Sequence, residues 1–213
     1  MHEAVAPILV LVLALNFAVL GTSRVRATIN ASAAQGALLG LLTLVVHRDV
    51  GVRTVLVALG AAALKGLGIP YMLVRAMREA NIRREIEPLI GYSASLVLGA
   101  IGTGLSLLFA GTLPLAPEHA GSLLVPTSLA TTVTGFIILT TRRKAITQVV
   151  GYVLVENGVF VMGLCLIEAL PFLIEVGVLL DLFVGIFVMG IIAYQINRQF
   201  SSLDTSHLES LKE

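Results

Sequence analysis

The sequence predicts an all-α membrane protein, a polytopic bundle of about seven spanning helices. The composition points that way, because 57% of the 213 residues are hydrophobic and 13% are charged, against roughly 25% charged residues in an ordinary soluble domain. The mean hydropathy is +0.96. The apolar residues also form runs of about 20, the length of a helix that crosses a bilayer. Lipid offers the backbone no partner, so such segments span as helices.

The predicted spans follow one another closely along the chain, at 5–21, 28–46, 52–75, 89–112, 120–141, 146–168 and 171–195. No basic stretch precedes the first apolar run, so it is interpreted as a retained helix and not as a signal peptide. The predicted organisation is an amino-terminal five-helix part at 1–141, a helical hairpin at 142–196 and a cytoplasmic tail at 197–213.

Basic residues set the predicted orientation. With the amino terminus outside, eleven of the fourteen basic residues fall in cytoplasmic segments: Arg24, Arg26, Arg75, Arg78, Arg83, Arg84, Arg142, Arg143, Lys144, Arg198 and Lys212. Only Arg48 and Arg53 fall outside. Under the positive-inside rule the carboxyl terminus is therefore cytoplasmic.

Several classes of function are disfavoured by the sequence. The formal net charge of +1 gives no indication of nucleic-acid binding. There is one cysteine, Cys165, and no HExxH, CxxC or glycine-rich phosphate loop, so we expect no metal, cluster or nucleotide site in this chain. Any redox chemistry would belong to partner subunits.

The third predicted helix carries an unusual charged element. Lys65 lies about 20 Å along this helix, near the middle of the membrane, and Pro70 follows it closely. A proline removes one helical hydrogen bond and displaces the carbonyl four residues before it. This pattern is typical of broken helices that line polar cavities in transporters. In the second helix, the small-xxx-small pair Gly36 and Gly40 would let a neighbouring backbone approach closely.

Two acidic residues lie near the centres of the last two predicted helices, Glu156 and Asp181. A carboxyl group at this depth is costly unless it pairs, protonates or contacts water, so it favours a functional interpretation. Together with Lys65 these residues are the candidate proton relay, and Glu175, Asn157 and Tyr152 are candidate supporting groups. The alternative is that both acids are static, protonated hydrogen-bonding groups between helices.

Four stretches resemble component E of hydrogenase-4, a membrane subunit of formate hydrogenlyase-type complexes: KGLGIP at 65–70, GYVLVENG at 151–158, EVGVLLD at 175–181 and SLDTSHLESLK at 202–212. The carboxyl-terminal part is also similar to the K subunit of respiratory complex I and to the C subunit of multisubunit sodium/proton antiporters. Asp181 matches the second membrane glutamate of the K subunit. The first membrane glutamate of the K subunit has no acidic counterpart at the matching position of this chain, where Val153 stands. Glu156 lies one helical turn further on, a shift of about 4.5 Å.

The resemblance implies a subunit without its own active site, in a [NiFe] hydrogenase or a related oxidoreductase complex. Its partners would be antiporter-like and heel membrane subunits and a peripheral hydrogenase-type arm, which would hold the nickel-iron site and iron-sulfur clusters. The chain itself would bind no cofactor and would lie in the inner membrane of a bacterium or archaeon. We expect a role in proton or sodium translocation coupled to electron transfer. The alternatives are a structural anchor, a subunit of a multisubunit antiporter or an independent transporter.

Overall fold

The computed structural model describes residues 2–46, 55, 59–60, 62–79, 88–113 and 122–166. This part of the chain is helical between short connections and contains no strand. We number its helices α1 (His2–Gly21), α2 (Val25–Val46), α3 (Ile69–Glu79), α4 (Tyr92–Thr112), α5 (Leu124–Thr141) and α6 (Ala145–Leu166). A π-helical turn, π1 (Leu64–Gly68), leads directly into α3.

Four of these helices are long and apolar enough to cross a membrane: Val25–Val46, Tyr92–Thr112, Leu124–Thr141 and Ala145–Cys165. A shorter apolar helix occupies Val5–Gly21. The predicted all-α membrane bundle is therefore confirmed, and these five segments coincide with predicted spans. The span at 52–75 is described only in part and the one at 171–195 lies outside the described residues, so seven spans and their orientation stay predictions.

The tightest packing in the described bundle is between α5 and α6. A Cβ atom placed on Gly135 would lie 2.5 Å from the backbone nitrogen of Val155, and one on Gly151 would lie 2.7 Å from that of Leu139. One on Gly158 would lie 2.7 Å from the backbone nitrogen of Thr132. The two backbones are in direct contact, which is the packing that small residues permit in membranes.

The peripheral helix of the described bundle is α4. Only 22% of its apolar membrane-spanning stretch is buried, compared with 61% for that of α5. Its exposed side chains are large and aliphatic, as at Leu105 and Leu108, and such a surface is suited to the interior of a bilayer. The polar groups that position the candidate site consequently come from the other helices.

Arg142 joins three parts of the chain at one end of the bundle. Its guanidinium donates to the carbonyl oxygens of Leu20 (3.2 Å) and Ile90 (3.2 Å) and to Ser95 Oγ (3.3 Å), and it lies 4.7 Å from the ring centroid of Tyr92. The sequence placed Arg142 with the basic residues of a cytoplasmic turn. Arg142 does follow α5, but it is buried and only 2% exposed. It can be buried because its guanidinium N–H groups donate to backbone carbonyl oxygens at the end of α1 and before α4.

Candidate functional site

The candidate site begins at π1, where the helix is wider than an α-helix. The N–H of Ile69 donates to the carbonyl of Leu64, five residues back. Pro70 follows and has no N–H, so it cannot continue the regular hydrogen-bond ladder. The sequence predicted a broken helix here, but the structure keeps the helix continuous and takes up the irregularity in one π turn. Such turns are frequent at functional sites.

A close contact with α2 positions the backbone of Lys65. A Cβ atom on Gly36 would lie 2.7 Å from Lys65 Cβ and 2.9 Å from its carbonyl carbon. One on Gly66 would lie 3.5 Å from Ala37 Cβ. The close approach predicted for Gly36 is thus confirmed, and any side chain at that position would displace π1.

Lys65 and Glu156 form a buried ion pair. Lys65 Nζ lies 2.9 Å from Glu156 Oε1, and the two side chains are 1% and 4% exposed. The distance is that of a salt bridge, although the angles are not those of a directed hydrogen bond. Neither carboxylate oxygen accepts a hydrogen bond from any residue that the structure describes. Such a pair is weak support for stability, since desolvation of two charges offsets most of their attraction.

A chain of amide groups crosses the bundle beside the ion pair. Asn157 Nδ2 donates to Gln35 Oε1 (3.1 Å), Gln35 Nε2 donates to Asn16 Oδ1 (2.8 Å), and Asn16 Nδ2 donates to Thr131 Oγ1 (2.9 Å). All four side chains are at most 1% exposed. The chain therefore links α6, α2, α1 and α5 through buried hydrogen bonds. Within the described residues, Asn157 Oδ1 has no donor.

Adjacent residues on two helices connect the amide chain to the ion pair. On α2, Gln35 takes part in the chain and Gly36 packs against Lys65. On α6, Asn157 begins the chain and Glu156 forms the pair. A movement of either helix would therefore affect the hydrogen bonds and the ion pair together.

The structure brings together two of the three predicted relay residues, Lys65 and Glu156. Of the predicted supporting groups, Asn157 enters the amide chain and Tyr152 packs half-buried against the main hydrophobic cluster. Asp181 and Glu175 lie outside the described residues.

Three members of the amide chain were not singled out from the sequence: Asn16, Gln35 and Thr131. Their signal is an amide or hydroxyl group inside an apolar run. That signal is common in membrane helices, and it does not identify which groups will meet.

Replacing Gly36 with alanine is expected to weaken the site. The new methyl group would overlap Lys65 Cβ and carbonyl carbon, so α2 and π1 must separate, with a cost of about 1–3 kcal/mol for overpacking. Thermal denaturation of the detergent-solubilised protein would measure this loss. The matched control is Gly104→Ala, where no described atom lies within 4 Å of the added Cβ. Equal denaturation temperatures for the two variants would contradict the close packing of α2 on π1.

This chain is similar to proteins of three bacterial species. It is 31% identical over 193 residues to uncharacterized protein Rv0085 of Mycobacterium tuberculosis, covering 88% of this chain and 86% of that protein. It is 32% identical over 78 residues to hydrogenase-4 component E of Escherichia coli K12, covering 37% of this chain and 36% of that protein. Component E of Shigella flexneri matches equally. The expected resemblance to hydrogenase-4 component E is thus confirmed over 37% of the chain. No protein-family model and no solved structure matches. The chain belongs to the family of Rv0085.

Proposed function

We propose that this chain is a non-redox membrane subunit of a complex I-related, formate hydrogenlyase or hydrogenase-4-type complex. In this proposal it contributes a buried charged relay to proton or sodium translocation, which is coupled to electron transfer elsewhere in the complex. The partial similarity to hydrogenase-4 component E, over 37% of the chain, supports membership of such a complex.

The observation that carries the proposal is the Lys65–Glu156 pair. Glu156 lies in the middle of the 22-residue α6, and its carboxylate meets an ammonium 2.9 Å away inside the bundle. Ionisable groups at this depth are expensive and mark ion paths in many membrane proteins. A cation beside the carboxyl favours its ionised form, and burial favours its protonated form. The balance of these opposing effects changes when the distance between the two groups changes, and so the pair is suited to take up and release a proton.

The remaining parts of the relay would come from Asp181 and from neighbouring subunits. We propose antiporter-like and heel membrane subunits as these neighbours, with a peripheral arm that holds the nickel-iron site and the iron-sulfur clusters. The complex would lie in the inner membrane of a bacterium or archaeon. This chain would supply no cofactor ligand.

A second candidate function is a structural anchor that joins larger membrane subunits. It is favoured by the amide chain, which ties four helices together, and by the glycine contacts between α5 and α6. An anchor needs a rigid bundle but no ionisable pair. The two functions therefore differ in what happens when Glu156 loses its charge.

The proteins that co-purify with this chain test which class of complex it belongs to. An affinity tag on this chain, followed by purification in mild detergent, should recover a large catalytic subunit with the cysteines for nickel ligation, together with antiporter-like membrane subunits. Recovery of the antiporter-like subunits alone would favour an antiporter complex. A chain that purifies by itself from native membranes would contradict the proposal.

A further inference from the structure

Two exposed arginines lie at one end of the bundle, Arg26 near the start of α2 and Arg78 near the end of α3. Their neighbours Val25 and Met77 belong to the same buried hydrophobic cluster, so α2 and α3 are antiparallel and the two arginines share this end. Among the described residues, neither guanidinium has an ion-pair or hydrogen-bond partner. Arg75 lies on the same face, but it has another interaction within the chain and is not counted here.

Helix geometry places both arginines at the depth of the lipid headgroups. The contact of Gly36 with Lys65 lies midway along α2 and therefore near the middle of the membrane. Arg26 is ten residues from Gly36 and Arg78 is thirteen residues from Lys65, which correspond to about 15 Å and about 20 Å along the helices. The hydrocarbon core ends about 15 Å from the midplane, and the headgroups extend to about 20–22 Å. Two positive charges therefore lie where lipid phosphates lie.

An exposed apolar surface extends from the arginines toward the middle of the membrane. Ala34 and Ala37 lie on the exposed face of α2, while Leu67 of π1 and Tyr71 of α3 are 72% and 70% exposed. The two faces adjoin each other, since a Cβ atom on Gly66 would lie 3.5 Å from Ala37 Cβ. Small side chains on α2 beside large ones on π1 and α3 leave a shallow apolar recess, which suits a lipid acyl chain.

We propose that Arg26 and Arg78 bind the phosphate of an anionic phospholipid, whose acyl chain lies in the recess between α2 and α3. A guanidinium group donates two parallel hydrogen bonds to phosphate oxygens. The Cα–Cβ bonds of a helix tilt toward its amino terminus. Because the two helices are antiparallel, Arg26 leans away from the membrane centre and Arg78 leans toward it, so the two side chains converge on one level.

The choice of a lipid follows from the combination of charge and apolar surface. Basic pockets between membrane helices on the cytoplasmic side bind anionic headgroups, and this end of the bundle is the one predicted to be cytoplasmic. An acidic protein surface would match the arginines but would leave the recess at bilayer depth uncovered. The inference does not rest on the proposed ion path, because lipid binding at this site requires no change at Glu156.

The test counts bound lipids on the full chain, with any partner subunits that remain bound to it. The delipidated protein in detergent is titrated with phosphatidylglycerol or with phosphatidylcholine of the same acyl chains, and bound lipid is counted by native mass spectrometry. We expect the wild type to prefer phosphatidylglycerol. The double variant Arg26→Gln/Arg78→Gln should bind it about thirtyfold more weakly, since each basic residue near an anionic lipid contributes roughly fivefold in affinity. Ala34→Leu fills the recess without a change in charge and should also weaken binding.

Arg143→Gln is the matched control, because Arg143 is exposed at the same end but lies on the connection between α5 and α6. It should bind phosphatidylglycerol as the wild type does. An equal loss in this control would overturn the inference, since it would indicate general attraction to a basic surface. Wild-type binding in the double variant or in Ala34→Leu would overturn it too, as would equal binding of the two lipids by the wild type. Inorganic phosphate that competes as well as the lipid would exclude the acyl-chain contact. A double variant that keeps its lipid but loses its partner proteins would assign the arginines to a protein interface and overturn the lipid site.

Discussion

Inverted membrane vesicles that carry Glu156→Gln are expected to lose coupled ion uptake while the peripheral redox activity remains. Glutamine has almost the same size as glutamate. Its side-chain oxygen can therefore still face the Lys65 ammonium, whose Nζ lies 2.9 Å from Glu156 Oε1 in the wild type. Glutamine cannot bind or release a proton near neutral pH. Loss of a proton-transfer group typically costs a hundredfold or more in rate, so uptake should fall by about that factor.

The comparison needs three measurements on the same vesicles: ion uptake, redox turnover and the amount of assembled complex. Glu79→Gln is the matched acid-to-amide control, since Glu79 is the last residue of α3 and lies away from the ion pair in sequence. It should leave uptake intact. Wild-type uptake in Glu156→Gln would refute the relay. Parallel loss of all three quantities would indicate that the Glu156 carboxylate is needed for assembly, and it would not support the relay.

Gly158→Ala is expected to destabilise the bundle strongly. The added Cβ would lie 2.7 Å from the backbone nitrogen of Thr132 and 2.8 Å from the carbonyl oxygen of Ser128, and it would also contact Thr132 Oγ1. Backbone atoms of a packed helix cannot rotate away, so α5 and α6 must separate. Overpacking of this kind costs about 1–3 kcal/mol, although alanine favours an α-helix by roughly 1 kcal/mol over glycine where space allows.

The measurement is the denaturation temperature in detergent, together with the amount of chain in the membrane. Gly111→Ala on α4 is the control, because Gly111 is exposed and no described atom lies within 4 Å of its Cβ position. The control should denature at or above the wild-type temperature. A Gly158→Ala protein as stable as Gly111→Ala would show that α5 and α6 do not pack with their backbones in contact.

The spans that the structure describes could be predicted because apolar length is a local property. A run of about 20 apolar residues identifies a membrane helix without knowledge of its neighbours. Lys65 and Glu156 could be predicted as candidate site residues for the same reason, since a charged residue inside an apolar run is identified from the sequence alone. Their pairing could not be predicted, because it depends on the rotation of α6 and on the approach of α2 that Gly36 allows.

The π turn and the buried arginine show why other parts could not be predicted. Pro70 indicates that the helix cannot continue regularly, but a break and a wider turn have the same sequence signal. From the sequence alone, Arg142 is indistinguishable from the other basic residues of the turn that follows α5. Its burial requires Leu20, Ile90 and Ser95 from separate parts of the chain to meet around it. The amide chain likewise joins residues up to 122 positions apart.

The central claim is that Lys65 and Glu156 act as one charged pair, and a double-mutant cycle tests it most directly. The denaturation of the purified complex is compared for wild type, Lys65→Met, Glu156→Gln and the double variant. Each single change removes one member of the pair and leaves the other in place, whereas the double change removes both. We expect the double variant to be more stable than the sum of the single effects implies, with a coupling of about 1–3 kcal/mol. Additive effects of the two substitutions would contradict the claim.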